Sequence, residues 1–403
     1  FVHAGGAMID DGGNAITIAQ PLLAPFGSGV TSLSLGVASL GGYIGAPYVS
    51  ISEGGGYGAT AVALFDPHSG SVTGLVVTCP GVGYTSIPTV TLTGGGAPDY
   101  LGATATIGAN TSGGLTKSGT GTLILSGANT YTGPTVVNAG QLRMNSSSTG
   151  GGSVTVADNA SLGIDLLQAG ATLQIGDLTI GDGASLNFNL LAAGNPTQPV
   201  LRTANFNFLG GGVLPFNVAG GGLAAGRFTL LEYTGEVAGS AGFDTGTMPS
   251  GIDAHIEVDE INKRVELVID AVNPLIWLGA TADWDINASF NWTNPVSGQV
   301  QVYTENGGVG YPVFFDDLGL NTMINLTVPL SPGGITVTGS VNSYNFGGAG
   351  QLTGVGGIVK DGPSTLVLNT SNAFTGPVEI RGGMVVVSNN AGLGTGAGGT
   401  IIT

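Results

Sequence analysis

Positive charge is almost missing from this chain. Its 403 residues hold 8 Lys and Arg against 25 Asp and Glu, a formal net charge of −17. With no basic stripe to displace phosphate counterions, nucleic acid is excluded as a partner, and anionic lipid headgroups with it. Charged residues of both signs amount to 8%, where about 25% is usual. Long apolar runs are absent as well: nothing approaches the ~18 residues of a spanning helix, so no membrane-spanning segment is expected. Cysteine is reduced to Cys79, which rules out an internal disulfide and a thiolate zinc cluster. In VVTCPGVG it reads as a small strand residue. Amphipathic helical periodicity appears nowhere.

Reactive constellations are equally scarce. His3, His68 and His255 sit in unrelated contexts, FVHAG, DPHSG and DAHIEV, and form no H-x-x-x-H pair. There is no G-x-S-x-G elbow and no phosphate-cradling loop with its Lys and Ser/Thr. Glycoside cleavage needs two carboxylates facing across a cleft, and β-helical enzymes of that kind bring basic residues for acidic sugars. This chain has almost none to spare. The expectation is a protein without a catalytic centre and without a resident cofactor.

What is abundant is glycine, 75 residues against an ordinary ~7%. Short bursts of Val, Ile, Leu and Thr lie between the glycines: AITIA, TVTLT, TLILS, SVTVA, ITVTG, TLVLN, MVVVS. They alternate with period two, as half-buried strands do, and Gly, Asn, Asp, Ser and Pro clusters separate them as turns. The chain is expected to be all-β.

Two internal repeats organise it. LTKSGTGTLILSGANTYTGPTVVNAGQL, beginning at Leu115, recurs as IVKDGPSTLVLNTSNAFTGPVEIRGGMV, beginning at Ile358, with a constant offset of 243. Lys117 falls on Lys360, Asn129 on Asn372, Tyr131 on Phe374, Gly133-Pro134 on Gly376-Pro377 and Gly140 on Gly383. The matched positions set backbone geometry and core packing, and the Lys pair is the one titratable match. A second repeat, GYIGAPYVSISEGGG from Gly42 and GYTSIPTVTLTGGGA from Gly83, has an offset of 41. A period near 40 in an all-β chain signals a stacked or bladed module.

From these patterns we read four segments. Residues 1–112 are a Gly-rich β region with the two ~41-residue repeats, a length in the range of known β modules. Residues 113–195, with strands about every ten residues, form a first β-helix unit in which each coil covers the next. Residues 196–275 form an antiparallel β segment, including a hairpin turned at Glu260–Lys263. Residues 276–403 form a second β-helix unit. The expected fold is an elongated, mainly right-handed parallel β-helix with an inserted antiparallel segment. An antiparallel β-sandwich is the competitor.

The stretch GTLILSGANTYTGPTVVNAGQL closely resembles the autotransporter-associated β-strand repeat, also called the passenger-associated transport repeat, of secreted bacterial surface proteins. STLVLNTSNAFTGPVEIRGGMV is similar to it with Phe374 in place of Tyr. The resemblance implies a β-helical passenger exported through the outer membrane by a C-terminal β-barrel, which is not legible in these 403 residues. It implies no catalytic residue.

Two sets of residues are singled out as candidate ligand sites. Asp10-Asp11, Asp316-Asp317, and Asp283 with Asp285 lie in short Asp/Asn/Gly loops that offer oxygens to Ca²⁺, against the plainer reading that they satisfy turn backbone groups. Trp284 and Trp292, with Trp277, either stack on sugar rings or wedge the junction where a new unit opens. The expected function is a structural segment of a secreted bacterial surface fibre, extracellular or on the cell surface. Its ends, which look uncapped, invite head-to-tail strand addition with other copies. The alternatives are a carbohydrate-binding adhesin with surface glycans as partners and, behind it, a polysaccharide-degrading enzyme.

Overall fold

The computed structural model of the chain describes residues 1–238 and 242–403, and the regular elements within them are β-strands. Among them no helix is long and apolar enough to cross a membrane. The chain forms two compact units, where the sequence reading drew four segments. One comprises Phe1–Ile9, Leu22–Thr116 and Asn129–Thr135; the other comprises Asp10–Pro21, Lys117–Ala128 and Val136–Thr403.

The larger unit is a parallel β-solenoid. One sheet stacks Ala15–Ile18, Thr122–Leu125, Gln141–Asn145, Ser161–Asp165, Ser185–Leu191, Val213–Gly220 and Gly242–Thr245 in that order, all parallel. Val154–Val156, Leu178–Ile180, Phe206–Phe208 and Val237–Ala238 continue a second sheet. Leu173–Gln174, Leu201–Thr203 and Gly226–Tyr233 begin a third. Period-two alternation sends every second side chain inward, and parallel pairing in register lines those side chains up. Leu123, Leu142, Leu162, Leu186 and Phe216 thus form one column, each fully covered by its neighbours. The sandwich alternative fails here, because the strands pair with the previous coil and not with a hairpin partner.

Coil length is not fixed. Thr122 pairs with Gln141, 19 residues on, whereas Leu186 pairs with Phe216, 30 residues on. The added residues build the third side of the coil. Residues 196–275, expected to be antiparallel, therefore mostly extend the parallel coils. The antiparallel part is the hairpin Ile252–Asp259 with Arg264–Val272, laid along Gly226–Tyr233. Its turn is set locally: Asp259 Oδ1 accepts the Asn262 N–H at 2.9 Å and Lys263 takes a φ of 55°.

A second stack begins at Leu275–Trp277, which pairs in parallel with Val309–Phe315. Pro332–Val337, Ile358–Lys360, Val378–Ile380 and Thr400–Ile402 follow. Its companion sheet runs Asp283–Trp284, Met323–Leu326, Tyr344–Gly348, Thr365–Leu368 and Met384–Val387.

The smaller unit is antiparallel. The 41-residue repeat is not a stacked module, as its period suggested, but a reciprocal pair. Tyr48–Ser52 and Thr89–Thr93 lie antiparallel with Ser50 opposite Thr91, its own equivalent in the other copy. Ile44 and Gly45 donate their N–H groups to Gly95 O at 2.7 and 3.2 Å, and Thr85 and Ser86 donate theirs to Gly54 O at 2.9 and 3.2 Å. Both glycines have positive φ, 73° at Gly54 and 70° at Gly95. A Cβ on either would press into the partner copy's backbone, 2.7 Å from Ser86 O or 2.6 Å from Gly45 O.

Because the inward column is continuous, a void in one coil is felt by two neighbours. Leu162→Ala is expected to cost about 2–5 kcal/mol, read as a fall in the denaturation midpoint. A loss below about 1 kcal/mol, the ordinary range for surface changes, would contradict the packed-column description.

Candidate functional site

The two copies of the long repeat occupy the same structural place. In each, one coil rises onto the next with the same register: Thr122 pairs with Gln141, and Thr365 with Met384. The backbone bonds repeat as well. Asn138 N–H donates to Lys117 O at 2.9 Å, and Arg381 N–H to Lys360 O at 2.8 Å. The repeated Asn does the same work in both copies, since Asn129 Oδ1 accepts the Leu22 N–H and Asn372 Oδ1 accepts the Leu352 N–H, each at 2.9 Å.

The repeated lysine is the chemically distinctive feature. Lys117 and Lys360 are both fully buried, pointing inward where their strand neighbours place Leu or Ile. A buried ammonium needs acceptors for its three N–H bonds. Lys117 Nζ donates to the carbonyls of Gly119, Gly121 and Ala139 at 2.7, 3.0 and 2.9 Å. It also meets Asp11 Oδ2 at 2.6 Å, with both side chains sealed from solvent. Lys360 Nζ donates to the carbonyls of Asp361 and Gly362 at 2.8 Å each and of Gly382 at 3.4 Å. Among the described residues no carboxylate pairs with it. The glycine that follows one coil later makes room: Gly140 and Gly383 have φ of 62° and 74°, and a Cβ on either would stand 2.8 Å from the lysine Nζ.

The electrostatics of the two cages therefore differ. The Lys117 ammonium, helped by the N–H groups of Gly13 and Gly121, holds the Asp11 carboxyl below its ordinary range despite burial. Burial pushes Lys360 below the usual lysine range, with Asp361 opposing weakly. Such cages lock the coil corner around a fixed charge. They offer no open coordination position and no substrate access, so their chemistry is structural.

The acidic pairs marked as Ca²⁺ candidates are engaged by donors of their own turns and of neighbouring coils. Asp10 Oδ1 accepts the Gly12 N–H at 2.9 Å, and Asp11 Oδ1 accepts the N–H groups of Gly13 and Gly121 at 2.9 and 3.0 Å. Asp316 Oδ1 takes the Leu318 N–H. Asp317 gathers the N–H groups of Asn342, Val341 and Ser340, which hold its carboxyl below the usual range. Asp283 is bound by the Asn325 amide, and Asp285 by Ser289. Among the described residues no group of three or more His, Cys, Asp or Glu is placed to hold a metal ion. Each of these carboxylates is occupied by donors from its own turn or from a neighbouring coil, which is the plainer of the two readings of the acidic pairs.

Trp284 and Trp292, singled out as sugar-stacking or junction residues, take the junction place. They are 0% and 1% exposed. Trp277 and Trp292 stand edge to face at 4.9 Å, and Trp284 packs on Trp292 at 5.1 Å and on Tyr303 at 5.5 Å. Phe315 and Phe346 complete the cluster. These rings plug the first coil of the second stack, with no face left for a ligand.

The histidines stay apart from one another. His3 Nε2 lies 3.8 Å from Cys79 Sγ, and its pKa is lowered by burial. His255 is raised by Asp270 at 2.8 Å and by Glu257 at 3.1 Å on an exposed strand face.

Two outcomes follow from the cages. Lys117→Met strands a buried carboxylate and is expected to cost about 3–5 kcal/mol; Lys360→Met leaves no carboxylate behind and should cost less, both read from denaturation midpoints. Equal losses would contradict the asymmetry. Asp11 titrates below its unfolded value, so its stabilisation is complete above the ordinary carboxylate range and disappears as pH falls through the folded value. Asp11→Asn should therefore flatten the acid limb of the stability–pH curve; an unchanged limb would show that Asp11 does not carry it.

A scan against known families matches the Passenger-associated-transport-repeat at residues 115–144 and 358–387. Comparison with curated proteins and with solved structures gave no match. The repeat is structural and non-catalytic, and it is characteristic of the secreted, cell-surface passengers of autotransporters. The chain carries two such repeats, each built around one caged lysine, and they mark it as an extracellular or cell-surface protein of bacterial type.

Proposed function

We propose that the chain is a structural segment of a passenger displayed outside a bacterial cell, with the transport repeats serving as fixed coil junctions. The observation that carries this reading is the identical coil geometry of the two repeats, 243 residues apart, within a parallel solenoid. A repeat retained for chemistry would present reactive groups outward. These copies turn their matched Leu, Asn and Lys inward and present turns outward.

Self-association is the finer part of the proposal. It is supported by an apolar cross-strand row on the smaller unit, where Tyr48 pairs with Val62 and Val62 with Val76. Their exposures are 72%, 49% and 44%, and such a row seeks a cover. A second copy of this chain is the occupant we favour, since its own Tyr48, Val62 and Val76 row supplies a matching apolar cover. Sedimentation that shifts with concentration, and ceases to in Val62→Glu, is the expected result.

Display itself is tested by fusing the chain ahead of an outer-membrane β-barrel in a Gram-negative host and digesting intact cells with protease. The native chain should be cleaved from the surface. Gly140→Val and Gly383→Val, which collide with the lysine cages, should lower surface signal several-fold. Retention of the native chain inside the cell, or full display of both variants, would overturn the proposal.

A further inference from the structure

The outer face of the seven-stranded sheet carries a feature that a purely structural role leaves unused. Outward side chains there line up in columns just as the inward ones do. Arg143, Gly163, Asn187 and Asn217 are successive register partners, and Asp165, Asn189 and Ala219 form the neighbouring column. Ala219 leaves the floor low, while the longer polar groups stand as walls. With Gln141, Thr247 and Gly307, the residues Arg143, Asn187, Asn189, Asn217, Val218 and Ala219 line an open cleft of about 290 Å³. That is near the lower end of small-molecule sites, roughly 300–1,000 Å³, and suits a single sugar ring.

The walls are held in place. Arg143 arches over Gly163, where a Cβ would lie 2.7 Å from its Cγ, and meets Asp165 Oδ1 through Nε and Nη2 at 3.1 and 2.8 Å. Asn189 Nδ2 donates to the same oxygen at 2.7 Å. Asn217 Nδ2 donates to Asn187 Oδ1 at 2.6 Å, and Asn217 Oδ1 accepts the Thr247 N–H at 2.6 Å. This network leaves the Gln141 amide, Arg143 Nη1, Asn187 Nδ2 and Asn189 Oδ1 without protein partners among the described residues. Donors and acceptors alternate around one small space, on rigid strands, which keeps the ordering cost of binding low.

We propose that this cleft binds a neutral saccharide unit, its vicinal hydroxyls bridged by the side-chain amides of Gln141, Asn187 and Asn189. The Gln141 amide presents a donor beside an acceptor, while Asn187 Nδ2 supplies a donor and Asn189 Oδ1 an acceptor, matching adjacent hydroxyls that do both. Neutral sugars are favoured over acidic ones because Asp165 already neutralises Arg143, and the chain's net charge of −17 repels anions. The inference stands apart from the export reading, since the cleft exists however the chain reaches its destination.

The test is saturation-transfer NMR on the intact chain with glucose, galactose, mannose, N-acetylglucosamine and glucuronate, each at millimolar concentration. At least one neutral sugar should bind. Gln141→Ala, whose side chain makes no hydrogen bond among the described residues and so leaves the fold alone, should weaken that binding at least tenfold. Asn187→Ala should do the same, with unchanged circular dichroism as its control. Absence of binding by every neutral sugar, preference for glucuronate, or binding indifferent to Gln141→Ala would each overturn the proposal.

Discussion

An inward side chain in this solenoid depends for its cover on the equivalent side chains in the coil before and the coil after. Leu123, Leu142 and Leu162 are solvent-free because each is stacked between register partners. That dependence makes the in-register parallel ladder the interaction on which everything else rests, since a one-residue slip would turn the whole column outward. It also explains why the coil tolerates growth from 19 residues to 30 between register partners. Added residues enlarge the side that does not set the register.

The caged lysines are the exception that fits this constraint. A charge in the column is tolerated only where the backbone turns sharply enough to bring several carbonyls to one point. The repeat supplies that corner twice, and Gly140 and Gly383 keep it open. Only the first cage gains a carboxylate, because Asp11 directly follows the strand Ala7–Asp10 in the preceding coil; the strand before Lys360, Pro332–Val337, is followed by Thr338 and Gly339. Similar local sequence thus produces unequal electrostatics. The aromatic plug at Trp277, Trp284 and Trp292 solves the related problem of starting a stack, by filling the first coil with rings in place of a preceding coil.

Inner and outer faces divide the work. The inner face, apolar and continuous, gives the chain its fold, and the outer face is free to vary. There the same register that aligns leucines aligns asparagines, so a polar cleft arises as a by-product of coil stacking. In the smaller unit the same economy of repetition takes a different form, two copies closing on each other through Gly54 and Gly95.

Much of this was written locally. Period-two alternation in SLGID or SLNFN announces a strand and its buried face, and the offset of 243 singles out Lys117 and Lys360. Asp11 as the partner of Lys117 lies more than a hundred residues away in the chain, and no pattern near either residue names the other. The three tryptophans were legible as large apolar groups at a junction, but whether their faces were open depended on Tyr303, Phe315 and Phe346, which arrive from other coils. Likewise the 41-residue period fixed that two copies exist and left open whether they stack or face each other, because period does not carry direction. By itself the sequence determined strand positions, turn chemistry and the polarity of each face, since those follow from backbone preference and side-chain alternation. Which strands became neighbours, and hence which charges met, was decided only in three dimensions, where coil length and register bring distant residues to one place.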